Sequence, residues 1–232
     1  MHELPGESRS RGSLISVETA VGGAEVILDR GSPRPIGLLA LGHGAGGSID
    51  APDLTAVTAA ALDAGFAVAR VRQPYSVAGR RAPAPASQLD AAWMAVVGVL
   101  VELFHRAQPG LRFIVGGRSS GARVACRTAD ASGACGVVAL AFPLHPPGHP
   151  ERSRATELEV AVPLLVVQGA RDAFGTAAQF PPHVMIREVP QADHRLIGPD
   201  VDAAIDGIVE WLVATITAPN AAPGIGPPQS AL

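Results

Sequence analysis

Short apolar runs rich in β-branched residues alternate along this chain with longer helical stretches, and that alternation restricts the fold more than any other feature. Ile36–Leu41, Phe66–Val71, Phe113–Val115, Val137–Ala141, Leu164–Val167 and Val184–Val189 read as strands. Leu54–Ala64, stopped by Gly65, reads as a helix, as do Ser87–Ala107, Ala122–Ala129 and the amphipathic Val201–Ile216. Leu14–Thr19 and Ala24–Asp29 flank Gly22-Gly23 and predict an opening hairpin. Gln73–Ala86, with Pro74, Pro83 and Pro85, reads as a loop. Strands spaced by helices require crossover connections, so the expected architecture is α/β: a mostly parallel sheet with helices on both faces.

A chain of 232 residues suits one such domain, and the expected limits are residues 13–217. Residues 1–12 and the Pro/Gly/Ala-rich residues 218–232 read as flexible tails. A formal charge of −3 gives no basic footprint for nucleic acid and no patch for an anionic membrane. The longest apolar stretch, about Ala91–Phe104, is short for a membrane span and contains Glu102. Met1–Gly12 is polar and lacks the apolar core of a secretory signal, so a soluble, cytoplasmic protein is the expectation. Cys126 and Cys135, in alanine-rich surroundings, read as small buried residues rather than a disulfide or a metal pair.

In open parallel sheets the working residues stand at the carboxyl ends of the strands, and four such ends carry chemistry. Phe113–Val115 runs into Gly117-Arg118-Ser119-Ser120-Gly121. A serine projected from a tight strand-to-helix turn leaves no room for side chains two positions before and after it, which matches Gly117 and Gly121. Ser120, the rival hydroxyl, lacks that flanking pattern and fits better as a backbone N–H donor. After Ile36–Leu41 comes Gly42-His43-Gly44-Ala45-Gly46-Gly47, a loop whose amides can approach a carbonyl oxygen. The backbone N–H groups of Ala45 and Ser120 are the expected oxyanion donors. His43 is expected to brace that loop. A phosphate cradle is disfavoured, because no Gly-Lys-[Ser/Thr] follows.

Asp172 stands just past Leu164–Val167, where a carboxylate can orient a histidine, and His194 stands just past the last strand. The resulting chain order is Ser119, Asp172, His194. Asp193 adjoins His194 and is a reserve acid only. His145 and His149, in Pro143-Leu144-His145-Pro146-Pro147-Gly148-His149-Pro150, match no standard zinc spacing, so no metal is expected.

The segments GHGAGG, GGRSSGARVA, FPLHPPGHPER, VPLLVVQGARDAFG and ADHRL together resemble the α/β-hydrolase superfamily across roughly Ser13–Thr217. More narrowly, the chain resembles the dienelactone-hydrolase-like branch. That branch includes testis-expressed protein 30 and the hydrolase-like domain of the nonspecific-lethal complex regulatory subunit 3. FPLHPPG carries most of the narrower likeness. Branch members tend to have a bulkier residue followed by glycine where this chain has Ser120-Gly121-Ala122, a mild departure.

The resemblance implies an α/β-hydrolase fold and a Ser119, Asp172, His194 triad, acting on a small-molecule ester or lactone without a cofactor. Alternatives using the same residues are a peptidase, a thioesterase or an acyltransferase, and a non-enzymatic interaction module that kept the fold. Only about Pro143–Val162 is available for a lid, too little for a multi-helix cap. The expected pocket is therefore open, with Phe142, Leu144 and the Gln73–Ala86 loop as walls. Arg118 is expected to pair with a nearby acid in a structural role, rather than to attract an anionic substrate group.

Overall fold

The computed structural model describes residues 12–46 and 48–219. Both segments predicted as tails lie outside these described residues, apart from Gly12, Ala218 and Pro219. Among the described residues eight strands form one sheet: β1 Ser13–Thr19, β2 Gly22–Asp29, β3 Leu38–Gly42, β4 Ala67–Arg72, β5 Phe113–Arg118, β6 Val137–Leu140, β7 Leu164–Gly169 and β8 Met185–Val189. Their spatial order is β1-β2-β4-β3-β5-β6-β7-β8. β2 is antiparallel to both its neighbours, and every pair from β4 to β8 is parallel. This is the expected mostly parallel sheet, and the carboxyl ends of β3 and of β5 to β8 open on one edge.

The strand side chains alternate strictly between two cores. Leu38, Ala40, Val115, Val137, Ala139 and Val166 face one core, with Leu39, Leu41, Ile114, Val138, Leu140, Leu165 and Val167 facing the other. Being buried on both faces, these central strands read as continuous apolar runs rather than alternating ones. The first core is closed by α3 (Ala86–Ala107) and α4 (Ser120–Ser132), and the second by α1 (Pro52–Asp63) and α5 (Val201–Thr217). The remaining helix, α2 (Pro74–Val77), is a single turn within the segment predicted as loop. Proline at its first position starts that turn, because its missing N–H lacks a helical partner there anyway.

Helix α3 buries Leu89, Trp93, Val96, Val97, Leu100 and Phe104, a stripe at helical spacing. It is also long and apolar enough to cross a membrane, with a mean hydropathy of 1.4 over 18 residues, which the shorter apolar stretch read from sequence understated. Here its stripe packs on the sheet and on α4. Ion pairs fasten α4 from outside: Arg127 grips Asp90 of α3 through Nε (2.9 Å) and Nη2 (2.6 Å), and Arg123 grips Glu157.

Two expectations are corrected. The hairpin turn is Ala20-Val21 rather than Gly22-Gly23, since Thr19 pairs directly with Gly22. The Thr19 hydroxyl closes that turn by accepting from the Val21 amide and donating to the Gly22 carbonyl. Phe142 and Leu144 are not pocket walls. They are 0% and 2% exposed, and both belong to the α3/α4-side core. Ala141 turns left-handed at φ 46° directly after β6, which tips the following segment back into the protein.

Because Leu41 is fully buried in the central strand β3, we expect Leu41→Ala to cost about 2–5 kcal/mol. Urea unfolding should show a lower midpoint with an unchanged slope.

Candidate active site

Strand β5 hands over to α4 at a single residue, Ser119, whose backbone sits at φ 51°, ψ −110°. For a residue with a Cβ this conformation costs on the order of 1–3 kcal/mol, so the surroundings must enforce it. They do so by close backbone contact. A Cβ on Gly117 would stand 2.5 Å from the Gly42 carbonyl oxygen, and one on Gly121 would stand 2.9 Å from that of His43. Ser119 N–H donates to the Leu140 carbonyl at 2.9 Å and its own carbonyl accepts from Arg123 at 3.2 Å, so β6 and α4 hold the turn from both sides.

The structure brings the three predicted residues together. The Ser119 hydroxyl lies 3.0 Å from His194 Nε2, and His194 Nδ1 lies 2.8 Å from Asp172 Oδ2. An acceptor-only carboxylate at Nδ1 places the ring proton there, which leaves Nε2 free to accept from Ser119. The His194 side chain remains 21% exposed, whereas the Asp172 carboxylate is fully buried. Asp193 is turned away: it pairs with Arg195 at 2.9 Å in solvent, and that hydrogen-bonded cation lowers its pKa. Ser120 opens α4 and does not meet His194. Its amide is one of the four that a helix start leaves without an intrahelical acceptor.

Asp172 is held by groups that sequence reasoning missed. Its Oδ1 accepts from the Phe174 amide at 2.8 Å, and its Oδ2 accepts from Gln168 Nε2 at 2.8 Å as well as from His194. Gln168 had a signal, being a polar residue at the end of an apolar strand. It is completely buried. Phe174 had none. Its ring lies against that of His194, with centroids 4.2 Å apart and planes 32° from parallel, so it flanks the imidazole where Phe142 was expected as a wall.

The loops carrying Asp172 and His194 are fastened to each other. Ala170 N–H donates to Val189 at 3.0 Å, and Arg171 N–H donates to Ala192 at 2.9 Å. Arg171 Nη2 also reaches the Gln191 carbonyl. Gly169 is required at this junction, since a Cβ there would stand 2.6 Å from the carbonyl oxygens of Ala192 and Asp193. Leu196, 4% exposed, anchors the far side of the His194 loop in the α1/α5-side core.

On the other side of Ser119 lies the glycine loop after β3. A Cβ on Gly44 would come within 3.4 Å of the Ser119 Cβ, while Ala45 stands exposed beyond it. His43 braces this loop, as expected. Its Nε2 accepts from the Gln73 amide at 3.2 Å, which puts the proton on Nδ1, and Nδ1 donates to the Gly44 carbonyl at 2.8 Å. Burial holds the His43 imidazole below its ordinary pKa, partly opposed by the bond to Gly44.

Arg118 takes the structural pairing expected of it. Its Nε donates to Asp53 Oδ2 at 2.7 Å, and Asp53 lies in the first turn of α1. Burial pushes the Asp53 carboxyl up against the downward pull of that guanidinium.

His145 Nδ1 faces the Pro146 carbonyl at 2.9 Å, and His149 Nδ1 lies 3.1 Å from Glu151. Among the described residues no group of three or more His, Cys, Asp or Glu gathers as a metal cluster. Both cysteines are free, and burial pushes the Cys126 thiol up to about 12.

A folded-state pKa below the ordinary 6.5 means that the unfolded chain binds the His43 proton first as pH falls. The stability due to this group is therefore complete above pH 6.5 and is lost as pH falls toward the lower folded value. Urea midpoints at pH 7.5 and pH 5 should fall apart more for wild type than for His43→Gln.

Comparison with known proteins bears on the family and the fold. A family model described as alpha/beta hydrolase domain matches residues 36–202. No curated protein matches the chain. Among solved structures, a serine hydrolase without a lid from Xanthomonas campestris is similar at TM-score 0.67 and 20% identity, covering 91% of this chain and 98% of that one. A dienelactone hydrolase from Anabaena variabilis is similar at TM-score 0.67 and 17% identity, covering 88% and 98%. A Pyrococcus furiosus esterase is similar at TM-score 0.70 and 15% identity, covering 92% and 95%. At these identities the likeness to solved structures is one of fold, whereas the family match spans most of the chain. The chain belongs to the alpha/beta hydrolase domain family.

Proposed function

We propose that this hydrolase-fold protein cleaves an ester or lactone through an acyl-enzyme on Ser119. The observation that carries the reading is the continuous path from the Ser119 hydroxyl through His194 to a buried Asp172, with gaps of 3.0 Å and 2.8 Å. His194 Nε2 takes the hydroxyl proton as Ser119 Oγ attacks the substrate carbonyl carbon. Asp172 stabilises the imidazolium formed and fixes its Nδ1–H tautomer. The carbonyl oxygen becomes an oxyanion, bound by the amides of Ala45 and Ser120. Collapse of that intermediate expels the alcohol oxygen, which receives the proton from His194. A water then repeats the sequence in reverse, with His194 as base, and releases the acid. No cofactor enters these steps.

Support for esters and lactones comes from the fold shared with an esterase and a dienelactone hydrolase, and from the dienelactone-hydrolase-like motifs in the sequence. The narrower likeness to testis-expressed protein 30 and to the nonspecific-lethal complex subunit is part of the same proposal. A partly exposed His194, with no multi-helix cap among the described residues, suits small or extended substrates.

A fluorophosphonate probe should label the wild type and spare Ser119→Ala. A folded wild type that resists the probe would sink the serine-hydrolase reading. With p-nitrophenyl esters of graded acyl length, Asp172→Asn should lower kcat by about 10⁴, because it favours the wrong histidine tautomer. Labelling without turnover of any ester would shift the reading to peptide or thioester cleavage.

A further inference from the structure

Arg118 does more than neutralise Asp53. Its Nε meets Asp53 at 2.7 Å, and its Nη2 donates to the backbone carbonyl of His194 at 2.8 Å. Its Nη1 lies against the glycine loop, 3.0 Å from where a Gly44 Cβ would stand. The side chain is 16% exposed and that of Asp53 4%. One inward-facing guanidinium therefore touches α1, the His194 loop and the oxyanion loop, while its backbone belongs to the residue just before Ser119. Two of its donors are engaged inside the protein, which disfavours a role as a lure for anionic substrates.

His194 needs such a tie. Its loop, residues 190–200 between β8 and α5, has no regular structure and includes left-handed Gln191 and Leu196. The contacts with Ala170 and Arg171 hold Val189 and Ala192, upstream of His194, and Leu196 anchors it downstream. The carbonyl of His194 itself is held by Arg118.

We propose that Arg118, oriented by Asp53, is a positioning residue that sets the place of His194 relative to Ser119 by binding the His194 carbonyl. This rests on the serine-hydrolase reading above. The fork geometry matters as much as the charge. Lysine can keep one contact with Asp53, but its single ammonium cannot reproduce donors aimed separately at a carboxylate and a carbonyl.

The test compares wild type, Arg118→Lys and the double variant Asp53→Leu/Arg118→Met, each with its thermal midpoint. The double variant replaces a buried ion pair with apolar groups, an exchange that folded proteins often tolerate. Displacing a reacting group by around 1 Å can cost up to about 10²-fold in rate. We therefore expect fluorophosphonate labelling rates and kcat for p-nitrophenyl acetate to fall roughly 10- to 100-fold in both variants, with KM little changed. A purely structural Arg118 predicts instead that lysine restores activity together with the thermal midpoint. Either variant folding normally and reacting at the wild-type rate overturns the proposal. An unlabelled wild type fails the Ser119 reading instead, so the two failures are distinguishable.

Discussion

The contact between three backbones, at Gly42, Gly117 and Gly121, is the constraint on which the site rests. The ends of β3 and β5 and the start of α4 approach so closely that a side chain at Gly117 or Gly121 would collide with main-chain atoms of Gly42 and His43. The chain can then pass from strand to helix through one residue. Ser119 occupies a backbone conformation that it would not choose in isolation, and two packed cores with the Leu140 hydrogen bond keep it there. Its hydroxyl consequently lies at the strand-to-helix turn, within 3.0 Å of His194 Nε2.

Around that fixed point the sheet order does the gathering. Ser119 follows β5, Asp172 follows β7 and His194 follows β8, while β6 lies between the first two. Neighbouring parallel strands end side by side, so the loops after β7 and β8 can bond to each other, and their polar groups are satisfied across Gly169, Ala170 and Arg171. The loop after β8 spans the remaining distance to Ser119. It is the long, irregular element of the site, and Arg118 and Leu196 each hold a different part of it.

The buried polar groups of the site share one logic. Asp172, His43 and Asp53 are almost wholly removed from solvent, where an unpartnered polar group would be costly. Asp172 accepts three hydrogen bonds, and Asp53 faces a guanidinium. His43 stays neutral so that one ring nitrogen can accept while the other donates. One partner of each comes from a distant segment: His194 for Asp172, Gln73 for His43 and Arg118 for Asp53. The rigidity of the site is therefore a product of the whole domain rather than of any single loop.

That division also explains what could be read without coordinates. The alternation of strand and helix, the glycines around Ser119 and the order Ser119, Asp172, His194 are local or ordinal properties, and each was legible in the sequence. The ends of strands were less so, because β5 and β7 are extended to Arg118 and Gly169 by pairing with their neighbours rather than by their own composition. Beyond His194, the partners of Asp172 were not legible, nor was which acid Arg118 would meet. Gln168 was visible as a polar residue closing an apolar strand, but its bond to Asp172 depends on how the segment from Asp172 to Gly175 folds back over it. Phe174 and Phe142 are both phenylalanines beside strand ends, and the sequence had no means of telling the one that flanks His194 from the one sealed in the core. Residue type and order set which chemistry this chain could hold. Distances between segments far apart in sequence decided which side chains meet, because those distances arise only when both faces of the sheet are packed.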